Sequence, residues 1–221
     1  MNIPDIEVIN VINTYNNISK KWDDTRYMVW PDVKTYLDNI KKNSKVVEIG
    51  CGNGKNMLYR DDIDFYGCDV AIEQINICKH KNIALNKLCV ADMCDLPYKI
   101  NEFDHLISIA VFHHLSTNER RVRAFNEMLR VTKQNGTILI SVWKYNQLNK
   151  KGNPKFSKKD ELVPFNIPKK GGKLEEHKRY YHLYDSGEFE DFLIPYTKTK
   201  KIKLLQMIDS YNNFFYILEK L

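Results

Sequence analysis

Apolar positions recur along this chain with two different periods. From Asp5 to Trp22, residues Val8, Val11, Ile12, Tyr15, Ile18 and Trp22 fall at helical spacing behind Pro4, which predicts an amphipathic helix. "DDTRYMVWP" breaks that spacing, and Pro31 opens a second helix with Val33, Leu37 and Ile40 on one face. "KVVEIG" then reads as a short buried strand, and "NGKNMLYR" as the start of a helix. "DFYGCDV" is a second strand, "AIEQINICKHK" a helix, "ALNKLCVADM" a third strand, and "FDHLISIAVF" a fourth, apolar through its centre.

"STNERRVRAFNEMLRVTK" predicts the clearest helix, with Ser116 and Glu119 as a capping box and Val122, Phe125 and Leu129 as its apolar face. "QNGTILISVW" turns at Asn135-Gly136 into a fifth strand. From Lys144 to Lys178 the chain is polar and interrupted by Pro154, Pro164, Pro168 and Gly171-Gly172, and is expected to leave the sheet as a partly mobile excursion. "RYYHLYDSGEFEDFL" resumes order with Phe189, Phe192 and Leu193 on a short helix. The end of the chain reads as two strands around "SYNN". Strands alternating with helices in this way predict an α/β fold: a doubly wound, mostly parallel seven-stranded sheet with a C-terminal antiparallel hairpin. Residues 1–221 are expected to form one domain, with N-terminal helices over 5–42 and an insertion over 144–178.

Composition narrows the picture. A chain of 221 residues with 43% hydrophobic content can bury a sizeable core. There is no apolar run long enough to cross a membrane, and "MNIPDIEVIN" lacks the layout of a signal peptide. Cys51, Cys68, Cys78, Cys89 and Cys94 form no CxxC pair. They are expected to be reduced thiols in a cytoplasmic or nuclear protein, with a zinc site as the alternative. The net charge of +6 is concentrated: Lys144–Arg179 holds eleven Lys or Arg and four Asp or Glu, a local +7, which leaves −1 for the rest. Such a segment suits a polyanion, although a solvated lysine-rich loop would look the same.

"VVEIGCGNGKNM" carries the first chemistry. A dinucleotide fingerprint G-x-G-x-x-G needs a glycine where Lys55 stands; the observed spacing is E-x-G-x-G-x-G through Glu48, Gly50, Gly52 and Gly54. This arrangement resembles motif I of class I S-adenosylmethionine methyltransferases, which are Rossmann-like. Without side chains at Gly50 and Gly52, backbone can lie against a ligand. Glu48 can accept from loop amides or orient the ligand's ammonium. Asp69 ends the second strand, where a carboxylate can take ribose hydroxyls. The resemblance places Asp92 at the end of the third strand against the adenine amine, with Met93 on the ring. It also implies cofactor contacts for Cys51, Asn53, Val70, Ile109 and Ala110, and for Lys55. No metal ligand is expected.

The fourth strand ends "SIAVFHHLST". It lacks the Asn/Asp-Pro-Pro-aromatic stretch of amino-group methyltransferases and the Pro-Cys of pyrimidine C5 enzymes. "SIAVFHHLSTNERRVRAFNEMLRV", "RYMVWP", "ISVW" and "RYYHLYDSGEFEDF" together resemble the eukaryotic-type wobble-uridine tRNA carboxymethyl methyltransferase family, over Tyr15–Leu193. The insertion keeps only "LVPFNIP" of that family's pattern, with Phe165 where the family often has Trp. The resemblance implies methyl transfer to the carboxylate of 5-carboxymethyluridine in the tRNA anticodon loop. A carboxylate with a pKa of about 4 is already ionised at neutral pH and needs no general base. It needs clamps, and Arg26 and Arg179 suit that role. The resemblance gathers both, with His113 or His114, Trp143 and Tyr180, around the modified base. Plainer roles are open: helix capping for His113 and His114, core packing for Trp143, and a surface pair with Asp23 or Asp24 for Arg26.

The resemblance also implies a small zinc-binding activator subunit. The segment 84–90, on a third strand expected at the sheet's edge, offers it unpaired backbone groups. A small-molecule methyltransferase and a non-catalytic tRNA- or partner-binding paralogue are the alternative readings. The first would not need the basic insertion, and the second would have no reason to keep the loop and both acids.

Overall fold

The computed structural model describes residues 2–221, with Lys170 described by its backbone alone. The predicted first helix is a continuous helical run of three parts: α1 (Asp5–Glu7), a π-helical stretch Val8–Asn13, and α2 (Thr14–Asp24). Pro31 occupies the first turn of α3 (Pro31–Asp38), where its missing N–H costs nothing. Val33 and Leu37 of α3 are fully buried.

Five strands follow in alternation: β1 (Lys45–Ile49), β2 (Asp64–Asp69), β3 (Leu88–Val90), β4 (Phe103–Ile109) and β5 (Thr132–Trp143), with α4 (Ile72–His80) before β3 and α5 (Asn118–Val131) before β5. The hairpin β6 (Asp160–Pro168) and β7 (Leu174–His182) stands apart. Helix α6 (Glu188–Lys198) then leads to β8 (Ile202–Ser210) and β9 (Asn213–Lys220). The main sheet has seven strands in the order β3-β2-β1-β4-β5-β9-β8. Strands β1 to β5 are parallel, and β9 pairs antiparallel with both β5 and β8. Strand β1 is interior, between β2 and β4, and is buried from Val46 to Ile49, as a strand covered by helices on both faces must be.

Four local expectations need correction. First, "NGKNMLYR" forms turns, not a helix. Gly54 sits at φ +72°, outside helical space, and the Asn56 carboxamide is drawn inward to donate to Glu48 Oε1 at 2.6 Å. Second, β3 is only three residues long, because Leu85–Lys87 winds into a 3-10 turn. Lys87 Nζ there reaches Asp64 Oδ1 at 2.5 Å and Tyr66 Oη at 2.9 Å.

Third, the cap of α5 lies one residue later than expected. Thr117 Oγ1 accepts from Arg120 N at 3.3 Å, while Ser116 donates through N and Oγ to Glu7 Oε1, both at 2.7 Å. Val122 is 36% exposed, and Ala124, Phe125, Met128, Leu129 and Val131 face the core instead.

Fourth, the second half of the basic segment is a paired hairpin. Strands β6 and β7 pair from Asp160↔His182 to Pro168↔Leu174, and Gly171 and Gly172 take positive φ at the turn. Prolines read as loop punctuation, but in a two-stranded sheet each strand is an edge, and an edge tolerates Pro164 and Pro168. A small core of Val163, Tyr181 and Leu183 packs with Trp143, Tyr145 and Phe156. The hairpin is stitched to the end of β5: Tyr184 N donates to Trp143 O at 2.9 Å, and Tyr145 N to Tyr184 O at 2.9 Å.

Candidate active site

A cavity of about 550 Å³ opens at the carboxyl ends of β1, β2, β4 and β5. This is where open α/β sheets take ligands. One end is formed by the glycine loop and the strand-end acids, the other by the N-terminal segment from Tyr15 to Pro31 with Trp143 and Tyr181.

The three loop glycines differ in kind. Gly50 has φ +72°, and a Cβ there would lie 2.4 Å from Val111 Cγ2. At Gly54 a Cβ would meet Ile83 Cδ1 at 2.4 Å. Gly52 lines the cavity at φ +52° with nothing within 4 Å of its missing Cβ, so it leaves a cradle for a ligand. Gly54 is packed behind the loop and does not line the cavity. Cys51, Val70, Met93, Ile109 and Ala110 supply much of the apolar wall. Ala110 adopts φ +58° and donates its N–H to Ser141 Oγ at 2.9 Å.

The acids are all present in this wall. Glu48 is buried, and loss of water pushes its carboxyl up to about 8. Its Oε2 has no partner among the described residues. Asp69 accepts from Gly52 N through Oδ2 and from Ala71 N through Oδ1, each at 2.9 Å, and burial pushes it up to about 6. A carboxylate has about four acceptor positions, so Asp69 keeps capacity for a ligand hydroxyl. Asp92 receives Arg120 Nη2 on both oxygens, at 2.9 and 2.8 Å, and Cys94 N on Oδ1 at 3.0 Å. Oδ2 thereby retains one acceptor position for an exocyclic amine. Arg120 continues through Nε to Glu7 Oε2 at 2.8 Å, which locks the N-terminal helix to the floor. Glu7 and Arg120 escaped sequence reasoning because they are 113 residues apart.

At the other end, Arg26 places its guanidinium 4.4 Å from the Trp22 ring and donates to Thr25 O at 3.1 Å. Arg179 is 4% exposed and donates to Tyr181 Oη at 2.9 Å and Pro164 O at 3.2 Å. Its guanidinium lies 5.3 Å from the Trp22 ring, and its Nε has no partner. Burial, and then the charge of Arg179, push Arg26 below its ordinary value. Among the described residues neither guanidinium is matched by a carboxylate; the surface pair of Arg26 with Asp23 or Asp24 does not form, since those acids bond Lys81 and Lys21. Arg26 lines the cavity, whereas Arg179 stands one layer behind Trp22 and Tyr181.

His114 lines the cavity; His113 is fully buried beside it. His114 Nδ1 lies 2.7 Å from Tyr180 O and Nε2 lies 3.0 Å from Tyr15 Oη, so the ring donates to the carbonyl and accepts from the phenol. Burial pulls His114 down to about 3 and His113 well below its ordinary value. Both imidazoles are therefore held neutral. His113 stacks on Tyr181 with 4.5 Å between centroids, and Trp143 lies 4.7 Å from Tyr181. Tyr180 does not reach the site: successive strand residues face opposite ways, and its hydroxyl donates to Asp160. Tyr181, its neighbour in the same "RYYH" block, takes the place expected for Tyr180. Asn53 donates to Asp23 Oδ1 at 2.7 Å and Arg26 O at 2.8 Å, tying loop to clamp. Lys55 lies on the wall, 5.2 Å from the Trp30 ring, and burial lowers its pKa.

Cys51, Cys68, Cys78 and Cys94 are buried free thiols and Cys89 is half-buried. Among the described residues no group of side chains has the makings of a metal site, and no helix is long and apolar enough to cross a membrane.

Residues 47–140 match the family described as "Methyltransferase domain". The chain is 19% identical to a SAM-dependent methyltransferase from Aquifex aeolicus, with a TM-score of 0.65 over 93% of this chain and 98% of that one. It also superposes on a chain from a complex between the Haloferax volcanii Trm112 methyltransferase activator and a methyltransferase, with a TM-score of 0.61 at 13% identity over 96% and 98%. Sheet order, glycine cradle and strand-end acids therefore define a class I methyltransferase whose cofactor is S-adenosylmethionine. The donor set fits that molecule: a side-chain-free cradle at Gly52, acceptor capacity at Asp69 and Asp92, and a buried acid at Glu48.

The tRNA (carboxymethyluridine(34)-5-O)-methyltransferase of Arabidopsis thaliana is 40% identical over 140 residues, 63% of this chain and 34% of that protein. The enzyme of the same description from Schizosaccharomyces pombe is 31% identical over 199 residues, 83% of this chain and 86% of that one. The chain belongs to this tRNA methyltransferase family. It spans only 34%, 35% and 24% of the first three relatives.

Proposed function

We propose that this chain transfers a methyl group from S-adenosylmethionine to the carboxylate of 5-carboxymethyluridine at the wobble position of tRNA. The observation that carries the reading is the pair of guanidiniums, Arg26 and Arg179, 4.4 and 5.3 Å from the one Trp22 ring and, among the described residues, without an ion-paired carboxylate. Two unmatched cations at an aromatic-walled cavity are a receptor for an anion on a flat ring. A guanidinium grips a carboxylate through parallel hydrogen bonds, and Arg26 is in direct reach of the cavity. Arg179 adds charge from behind and orients Tyr181 through its hydroxyl.

The cofactor supplies an electrophilic methyl group when bound. The protein's task is alignment. In this reading Gly50, Gly52 and Asp69 hold the amino-acid and ribose ends, Asp92 takes the adenine amine, and Met93, Val70, Ile109 and Ala110 pack its faces. Trp143 and Tyr181 flank the acceptor base. His114, fixed between Tyr15 and Tyr180 O, and His113 behind it hold those rings in place. No group is required to take a proton, which agrees with two histidines held neutral.

We further propose that residues 1–221 act as one methyltransferase domain, with 144–178 as its tRNA-facing insertion, in the cytoplasm or nucleus. Among the described residues Lys150, Lys151 and Lys158 are exposed and without acidic partners, whereas Lys144, Lys159, Lys169 and Lys178 are ion-paired within the chain; the Lys170 side chain lies outside the described residues. A small zinc-binding activator is assigned to the edge strand near 84–90, where Leu85 and Val90 are 64% and 48% exposed. The likeness in fold to a chain that is complexed with a methyltransferase activator in Haloferax volcanii supports a partner of that kind, without placing it.

Nucleoside mass spectrometry of tRNA from cells lacking the gene tests the acceptor. Accumulated 5-carboxymethyluridine is the expected result. Unaltered tRNA nucleosides with a methyl acceptor in the metabolite pool would replace this reading by a small-molecule methyltransferase. Unaltered nucleosides and no acceptor at all would leave a binding paralogue.

A further inference from the structure

Lys155 has a position that the carboxylate clamp does not explain. Its backbone N–H donates to Gln147 O at 2.8 Å, and its Nζ donates to Gln147 Oε1 at 3.1 Å. Gln147 is itself 3% exposed and fixed by a bond from Nε2 to Lys144 O at 2.9 Å. The ammonium is therefore held at a defined point, 5.1 Å from the Trp143 ring centre and 5.0 Å from that of Phe156. Among the described residues it has no carboxylate partner, unlike Lys144, Lys159, Lys169 and Lys178 of the same segment. Loss of water, and then the charge of Arg179, lower its pKa. A long, flexible side chain pinned over two rings and left uncompensated is arranged for an anion that arrives with a ligand.

Trp143 says where that anion lies. The indole lines the cavity on one side and carries Lys155 on its ring. A ligand that places a base at Trp143 brings its backbone past Lys155, which is exposed and outside the cavity. The proposed substrate carries two kinds of anion. Arg26 and Arg179 account for the carboxylate on the base, and a phosphodiester is what remains. We infer that Lys155 is a positioning residue that holds a phosphate flanking the acceptor nucleotide, so that the base is presented at Trp143. This inference rests on the tRNA reading above.

The test uses the full chain saturated with S-adenosylhomocysteine and a fluorescent anticodon stem–loop RNA carrying 5-carboxymethyluridine. Two further stem–loops replace one linkage beside that nucleotide, 5′ or 3′, by a neutral methylphosphonate. In the wild type one of these replacements should weaken binding about tenfold. In Lys155→Gln the same replacement should cost less than about twofold, because the partner charge is already gone, and Lys155→Arg should restore the penalty. An equal penalty in both proteins, or none in the wild type, overturns the assignment of Lys155 while leaving the acceptor reading intact. A Lys155→Gln defect that disappears when the carboxymethyl group, not the phosphate, is removed overturns it too and makes Lys155 a third carboxylate ligand. A wild-type chain that fails to bind the stem–loop refutes the acceptor reading itself, and this inference falls with it.

Discussion

The two ends of the cavity are built by opposite means. At the cofactor end, three neighbouring strands of one sheet each finish with a loop or an acid, and local backbone sets the shape: Gly52 N and Ala71 N fix the Asp69 carboxylate beside the open space at Gly52. At the acceptor end the groups are side chains from remote parts of the chain, as in Arg26 and Arg179 about Trp22, or Tyr15 and Tyr180 O on His114. A backbone site tolerates little change in shape, while a side-chain site can be retuned one residue at a time. That contrast can be tested by breaking each end separately.

The largest effect is expected inside the loop itself. Gly50→Ala forces a Cβ to 2.4 Å from Val111 Cγ2 at φ +72°. A left-handed conformation alone costs a non-glycine residue about 1–2 kcal/mol, and the clash adds to it. Cofactor affinity should fall more than about a hundredfold, and Tm by at least about 4 °C, at about 2–4 °C per kcal/mol for a chain of this size. Gly52→Ala meets nothing within 4 Å, so its Tm should shift by about half as much while affinity still falls about tenfold, since the new methyl occupies the cradle. Calorimetry and thermal melts of the two variants decide the matter. A Gly50→Ala protein as stable as the wild type would remove the packing argument.

The acceptor end should break without disturbing the cofactor. Arg179→Ala removes the donor to Tyr181 Oη and Pro164 O and one of two unmatched charges. Methylation of carboxymethylated tRNA should drop more than about tenfold, the mark of a missing positioning group, with S-adenosylmethionine affinity held within about threefold. Arg179→Lys should recover little, because a single ammonium cannot span both protein acceptors and still present charge to the site. Parallel losses in cofactor affinity and turnover would mean that the ends are not independent.

This division also explains what could be read before folding. The glycine-loop wall of the cavity was legible because its residues follow one another at strand ends: Glu48 to Asn53, Asp69 and Asp92 line it, while Gly54 is packed behind. The mostly parallel, doubly wound sheet followed from the alternation of strands and helices. What failed was decided by contacts across the fold. Ser116 left its predicted cap for Glu7, and Asn56 turned inward to Glu48 where a helix was expected. Tyr180 and Tyr181 could not be told apart without the register of β6 and β7, which pairs Val163 with Arg179 and fixes which neighbour faces Trp143. The prolines of the basic segment hid a hairpin because its strands pair only with each other. Tyr15 and Trp22 carried a helical signal indistinguishable from core packing.

A smaller effect separates the lysines that precede that hairpin. Among the described residues Lys150 and Lys151 are exposed and unpaired, while Lys159 bonds Asp185 and Glu188 at 2.8 and 2.9 Å. Replacing Lys150 and Lys151 together by Gln should weaken tRNA binding several-fold and flatten its salt dependence by about 0.7 for each phosphate that is no longer neutralised. Lys159→Gln should leave that slope alone and act, if at all, on stability. A titration of tRNA binding against potassium chloride reads both. Equal slopes for all the variants would make this stretch a solvated surface.

The smallest expected effect is a fraction of a proton, and it reports on Glu48. Burial raises this carboxyl from 4.5 to about 8, and Asp69 from 3.8 to about 6. Each acid binds its proton more tightly in the folded chain than in the unfolded one. Between pH 4.5 and about 8 the unfolded chain has therefore already released the Glu48 proton while the folded chain keeps it. The unfolded state binds fewer protons, so the stability of the ligand-free chain falls as pH rises through this window and levels off above it. Glu48→Gln removes the group and should raise Tm at about pH 8 relative to wild type, with no gain at about pH 4. A cation at the glycine loop favours the ionised carboxylate. S-Adenosylmethionine should accordingly expel part of a proton on binding at about pH 7, and S-adenosylhomocysteine, without the sulfonium charge, less. Calorimetry in phosphate and in Tris, whose ionisation enthalpies differ, measures that proton directly. The release should vanish in Glu48→Gln. If the variant still releases as much as the wild type, the titrating group is Asp69, and the cation is felt at the end of β2 and not at the end of β1.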